Sequence, residues 1–219
     1  MKKSFICIAL LFATAIGFAQ SEKFQKAMAP LVAASDSTRD RDALISLANS
    51  FERIGNVEKE QWLPLYYASI TTINAAFALA MDGKMNDKSS DIDPMADKAE
   101  MYLDKADSLS PDNSEIWVAK KMLATLRMMA DPMNRYMQYG PIAEKALNKA
   151  KTLNAENPRV YILEGQDLYF TPEQFGGDKV EAKARFETAL AKFETQTPES
   201  ELHPKWGLGQ TKYFLSLMK

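Results

Sequence analysis

Cysteine is almost absent from this 219-residue chain: the one example, Cys7, lies in an apolar amino-terminal run. Beyond residue 7, structural disulfides, thiolate zinc sites and cysteine nucleophiles are therefore excluded. Histidine is as scarce. His203 stands alone, so no imidazole pair can hold a metal, and no triad with a marked nucleophile can be drawn around it. An excess of either charge is lacking, with 27 basic residues against 29 acidic ones. A clustered basic face is missing, which argues against nucleic acid as a partner. Runs of alternating β-branched residues are missing too, and glycine and proline fall mostly between apolar segments, so a sheet is not expected. These absences predict a chain with no catalytic residues, no cofactor and no metal site, stabilised by helix packing.

At the amino terminus, Lys2 and Lys3 precede an apolar run from Phe5 to Ile16 and a small-x-small site at Gly17-Phe18-Ala19. This is the secretory pattern, and the run is too short to span a bilayer. Residues 1–19 are expected to be a signal peptide cut near Ala19. The chain from residue 20 to 219 is then an exported domain, periplasmic or secreted, with no membrane span.

After Gln20 the apolar residues recur at helical spacing. Helices are predicted over 22–35, 40–54, 59–82, 94–109, 114–130, 135–153, 158–170, 178–195 and 203–217. Ser110-Pro111-Asp112-Asn113 cannot continue a helix, Ser114 can cap the next, and Asp178 can cap another after Gly176-Gly177. Aromatic residues open four of the segments, at Trp62, Trp117, Tyr161 and Trp206. Small-large-small triplets recur at Ala99, Leu103, Ala106; at Ala143, Leu147, Ala150; and at Ala182, Phe186, Ala189.

That spacing resembles the tetratricopeptide repeat, most faithfully through Ala99, Leu103, Ala106, Pro111 and Trp117. The resemblance implies an all-α fold of antiparallel helix pairs stacked as a right-handed α-solenoid. The interval from Trp62 to Ala99 is longer than the repeat allows, and an acidic loop inserted at about 82–94 is expected to absorb it. The turn at Phe175-Gly176-Gly177-Asp178 looks like one found in secreted bacterial tetratricopeptide proteins.

Four features invite chemical readings, and each has a plainer one. From Gln61 to Met81 the chain runs 21 residues without a charge, long enough for a membrane span. The polar residues Ser69, Thr71, Thr72 and Asn74 favour a helix buried on most sides. Met122, Met128, Met129, Met133 and Met137 carry thioethers that suit soft metals, but methionine more often fills a core seam or an adaptable surface. Asp87, Asp91 and Asp93 crowd one loop without the calcium-loop pattern, and read as a solvated acidic loop. Gly176-Gly177 could present free N–H groups to an anion, which Asp178 would repel.

On the repeat alignment, the concave side is expected to carry Leu63 and Tyr67, Val118 and Met122, and Ile162 and Gln166, with Arg159 and Tyr169 close by. These form an apolar and aromatic groove without the carboxylate-clamping residues of the best-known family members. The sequence thus predicts a non-catalytic exported scaffold that binds a protein or peptide partner in the cell envelope. The alternative is a small-molecule or lipid carrier with a pocket enclosed by Trp62, Tyr66, Tyr67 and Phe77.

Overall fold

The computed structural model describes residues 22–81 and 87–219. The expected signal peptide, Cys7 and residues 82–86, the first part of the expected inserted loop, lie outside the described residues. Among the described residues the fold is all-helical, with nine α-helices, one 3-10 turn and no strand. The helices are α1 (Glu22–Ser37), α2 (Arg41–Val57), α3 (Trp62–Ala80), α4 (Ser89–Leu109), α5 (Ser114–Ala130), α6 (Pro132–Leu153), α7 (Pro158–Phe170), α8 (Lys179–Thr195) and α9 (Leu208–Leu217).

Side-chain caps set several of the starts, because the first N–H groups of a helix have no partner within it. Asp40 accepts from the Ala43 amide at 2.8 Å, Asn157 from Arg159 at 3.0 Å, and Asp178 from Val180 at 2.8 Å and Glu181 at 3.0 Å. At α5 the expected cap is displaced by one residue. Asn113 caps by accepting from Glu115 at 2.9 Å, and Ser114 instead donates to the Ala150 carbonyl at 2.9 Å, tying α5 to the end of α6.

α3 is the centre of the molecule. Every residue from Leu63 to Ile73 is buried, and α2, α4, α5 and α1 all pack on it. The helix is long and apolar enough to cross a membrane, yet protein covers most of its surface, as expected of a core helix hydrophobic all round. Its buried hydroxyls are satisfied internally: Ser69 donates to the Ala99 carbonyl at 3.0 Å, and Thr71 and Thr72 donate to Tyr67 and Ala68 at 2.7 Å. Phe51 of α2 stacks on Tyr67 with ring centroids 5.1 Å apart.

Beyond α3 the helices pack as consecutive pairs, α5 with α6 and α7 with α8, while α4 bridges α3 and α5. Short turns make the members of each pair antiparallel. Helices α3, α5 and α7 thus begin at one end of the molecule, and α4, α6 and α8 begin at the other. Ion pairs lace neighbouring pairs together: Lys121 of α5 reaches Asp167 of α7 at 2.6 Å, and Arg127 of α5 reaches both Asp97 and Glu100 of α4 at 2.7 Å.

Three expectations are corrected here. α4 begins at Ser89 rather than residue 94, which places Asp91 and Asp93 on a helix. Asp93 is no loop carboxylate, because both its oxygens receive the Arg135 guanidinium, at 2.6 and 2.7 Å, and that bond holds its carboxyl below the usual range. Asp87 accepts from the Ser89 amide at 2.8 Å just ahead of the helix. α9 begins at Leu208 instead of residue 203. Pro204 and Gly207, the latter at φ +110°, keep residues 196–207 out of helix, so Trp206 precedes α9 rather than opening it.

Candidate functional site

The eight residues expected on the concave side do not form an open groove. Leu63, Tyr67, Val118, Arg159 and Ile162 are fully buried and Met122 nearly so; only Gln166 and Tyr169 retain partial exposure. The segment between α8 and α9 lies against Tyr67, Arg159 and Ile162. Tyr67 donates its hydroxyl to the Leu202 carbonyl at 2.9 Å, and Trp206 donates its indole N–H to the Tyr66 hydroxyl at 2.8 Å. Arg159, expected as a groove cation, is bound by both oxygens of Glu115 and also donates to the Trp206 carbonyl at 3.4 Å. A desolvated arginine needs such a pair, so its charge is spent inside the fold. Burial raises the Tyr66 and Tyr67 hydroxyls well above the ordinary phenol range, which keeps both neutral and bonded.

The pocket residues of the alternative reading are also filled from within. Trp62 packs edge-on against both Tyr66 and His203, at 5.5 and 5.7 Å between ring centroids. The lone histidine has both ring nitrogens engaged, Nδ1 with Ser200 Oγ at 2.8 Å and Nε2 with Glu199 at 3.1 Å.

The two ends of the helix array differ in chemistry. At the end where α3, α5 and α7 begin, an open cleft of about 660 Å³ lies between Trp62, the turns before α5 and α7, and residues 195–204. Its lining is polar, with the four carboxylates of Asp112, Glu115, Glu156 and Glu199 against Lys192 and His203. At the opposite end, large apolar side chains face solvent. Met81 follows α3, Met133 and Met137 stand on the first turns of α6, Phe170 closes α7, Phe175 sits in the following turn, and Leu217 ends α9.

Methionine at that end is thus surface, not seam. Pro132 starts a new helix after Asp131, so Met129 and the pair Met133 and Met137 lie on different helices, and the last two are 82% and 81% exposed.

Aromatic rings gather there as well. Gly207 lies against Ile162 and Arg159 near the start of α7, while Phe214 meets Tyr169 and Phe170 at its close, so α9 runs alongside α7 in the same direction. Phe214 is the hub. Its ring stacks on buried Phe186 of α8 at 4.7 Å and 3°, and meets Tyr169, Phe170 and Tyr213 edge-on at 5.4, 5.8 and 5.8 Å. Phe170 and Tyr213 are each 60% exposed, and the Lys179 ammonium sits 5.7 Å from the centre of the Tyr169 ring. Two exposed rings on a buried aromatic base, with a cation beside them, make a rigid apolar platform.

Of the platform residues, the sequence reading places Tyr169 beside the concave side and Phe186 in a repeat triplet, neither of them as part of an aromatic cluster. The signal for the others was adjacency: Tyr169-Phe170 and Tyr213-Phe214 are neighbours, and residues one apart on a helix point about 100° apart. One ring of each pair packs inward, and the other is left facing out.

Among the described residues, no group of three or more histidine or carboxylate side chains is placed to hold a metal ion. No family model matches the chain, and no curated protein does. A solved structure matches it along nearly its whole length. The chain is 34% identical to the HusA haemophore from Porphyromonas gingivalis, over 91% of this chain and 94% of that one, with a TM-score of 0.78.

Proposed function

Since the chain belongs to the family of the HusA haemophore, we propose that it is an extracellular or secreted carrier that binds haem or a related porphyrin on the platform of Phe170, Tyr213 and Tyr169. This favours a binding protein over an enzyme, and a small-molecule ligand over the peptide partner expected from the repeat. One observation in the structure carries the reading: two solvent-exposed rings are held in fixed orientation by buried Phe214 and Phe186. A porphyrin is a flat, apolar macrocycle, and aromatic side chains gain most from such a partner by offset or edge-to-face contact. The polar cleft at the other end suits it poorly, because apart from Trp62 and His203 its lining holds no aromatic ring, and its carboxylates Asp112, Glu115 and Glu156 are already paired with Lys149, Arg159 and Lys192. The succession of antiparallel pairs supports the α-solenoid arrangement as the scaffold for this site.

On this reading most of the affinity comes from contact with the ring system, and His203, engaged at the opposite end, is not available there as an iron ligand. The test is titration of haem and of metal-free protoporphyrin, followed by the change in their Soret absorbance. Both are expected to bind with affinities within about tenfold of each other, and Phe170→Ala and Tyr213→Ala are each expected to weaken binding roughly tenfold, the loss of one stacking partner. Unchanged affinity in both variants would remove the platform from consideration, and an absence of binding to the wild type would end the carrier reading itself.

A further inference from the structure

The platform is completed by α9, a ten-residue helix that packs chiefly on α8. So short a helix has little stability of its own, and its position has to be fixed from outside. The residues before it do this. Leaving α8 at Thr195, the chain returns across the starts of α3 and α7 before entering α9 at Gly207. Along this strap the Leu202 carbonyl accepts from the Tyr67 hydroxyl, the Trp206 indole donates to the Tyr66 hydroxyl, and the Trp206 carbonyl accepts from Arg159. The Arg159 guanidinium also lies 5.7 Å from the centre of the Trp206 ring.

These contacts join residues 135 and 140 positions apart in the chain. Their donors and acceptors on the core side are immobile, since Tyr66, Tyr67 and Arg159 are fully buried. Gly207 is the single residue that joins Trp206 to α9. Its left-handed φ of +110° and its close approach to Ile162 are open to a residue without a β-carbon, which lets the chain turn directly from Trp206 into α9.

We infer that Tyr66 and Trp206 are positioning residues for the porphyrin platform: their hydrogen bond ties the strap to α3 and so sets where α9 presents Tyr213 and Phe214. The inference rests on the carrier reading for its ligand, but the tether itself can be judged without one. Neither residue touches the platform rings, and their effect on ligand is exerted through α9.

The experiment compares wild type with Tyr66→Phe, Trp206→Phe and the double variant, using haem as the probe. Three quantities are read: haem affinity, the ligand-free melting midpoint, and amide hydrogen exchange of residues 208–217 relative to α7 and α8. Each single substitution is expected to weaken haem binding about threefold to tenfold and to speed exchange in α9 selectively. The double variant is expected to lose no more affinity than the weaker single one, because one bond is removed in all three. Losses that multiply in the double variant, or a lowered midpoint with haem affinity unchanged, would show two independent structural residues and overturn the inference. Unchanged exchange in α9 would overturn the tether whatever happens to haem. Failure of wild type to bind haem would count against the carrier reading alone, and the exchange result would then decide the tether by itself.

Discussion

Asp36, at the end of α1, is a carboxylate held in a place that disfavours its charge. Burial raises its pKa above the ordinary 3.8, against the opposing pull of Arg159, Arg39 and Lys205. The sign follows from proton uptake. A carboxyl with a raised folded-state pKa binds protons more tightly in the native chain than in the unfolded one. Its contribution to stability therefore becomes unfavourable as pH climbs from 3.8 through the raised value, and the penalty is complete at neutral pH. Asp36→Asn removes the penalty while keeping the shape. Its melting midpoint should exceed that of wild type at pH 7, and the gap should close as both are taken toward pH 4. A variant no more stable than wild type at neutral pH would show that the three cations outweigh burial. Arg159, by contrast, sits in a fully bonded pair with Glu115, where burial of charge is met by geometry.

At the scale of elements, most of the fold could be read from periodicity, and the failures have identifiable causes. The buried α3 was legible because 21 uncharged residues with scattered hydroxyls fit a core helix better than a membrane span. The start of α4 was missed since Pro94, read as the first turn, lies inside the helix, where an exposed side tolerates the lost hydrogen bond. The strap was missed for a different reason. Its anchors, Tyr66 and Tyr67, lie far away in sequence, and a local pattern cannot show which partner a carbonyl at Leu202 will find. Gly207 was nonetheless a local signal of a break. A β-carbon there would come within 2.5 Å of Ile162 Cδ1 and would have to adopt φ +110°. Gly207→Ala is therefore expected to cost roughly 1–3 kcal/mol, the usual range for a strained backbone position, measurable by denaturant unfolding. A cost below about 0.5 kcal/mol, the scatter of ordinary surface changes, would mean that the junction relaxes freely.

For the molecule as a whole, the distribution of side chains between its two ends matters more than any single motif. Helices in antiparallel pairs send every second turn to the same end, so residues distant in sequence share one rim. Met81, Met133, Phe170, Phe175 and Leu217 stand exposed at one end, while Asp112, Asn113, Asn154, Glu156 and Glu199 line the cleft at the other. Most of the concave residues chosen from the repeat, Leu63, Tyr67, Val118, Met122, Arg159 and Ile162, are buried, and the strap lies against Tyr67, Arg159 and Ile162 among them. On the proposed carrier reading, the ligand binds at the rim where α7 and α9 finish. Bound porphyrin should slow amide exchange in the last turn of α7, in the turn through Phe175 and in α9. The turns at 110–113 and 195–204, which line the polar cleft, should exchange at the ligand-free rate. Hydrogen exchange with and without haem separates the two ends directly. Protection concentrated around Trp62, Asn113 and His203 would place the ligand in the cleft, and the aromatic platform would then be a surface in search of a different role.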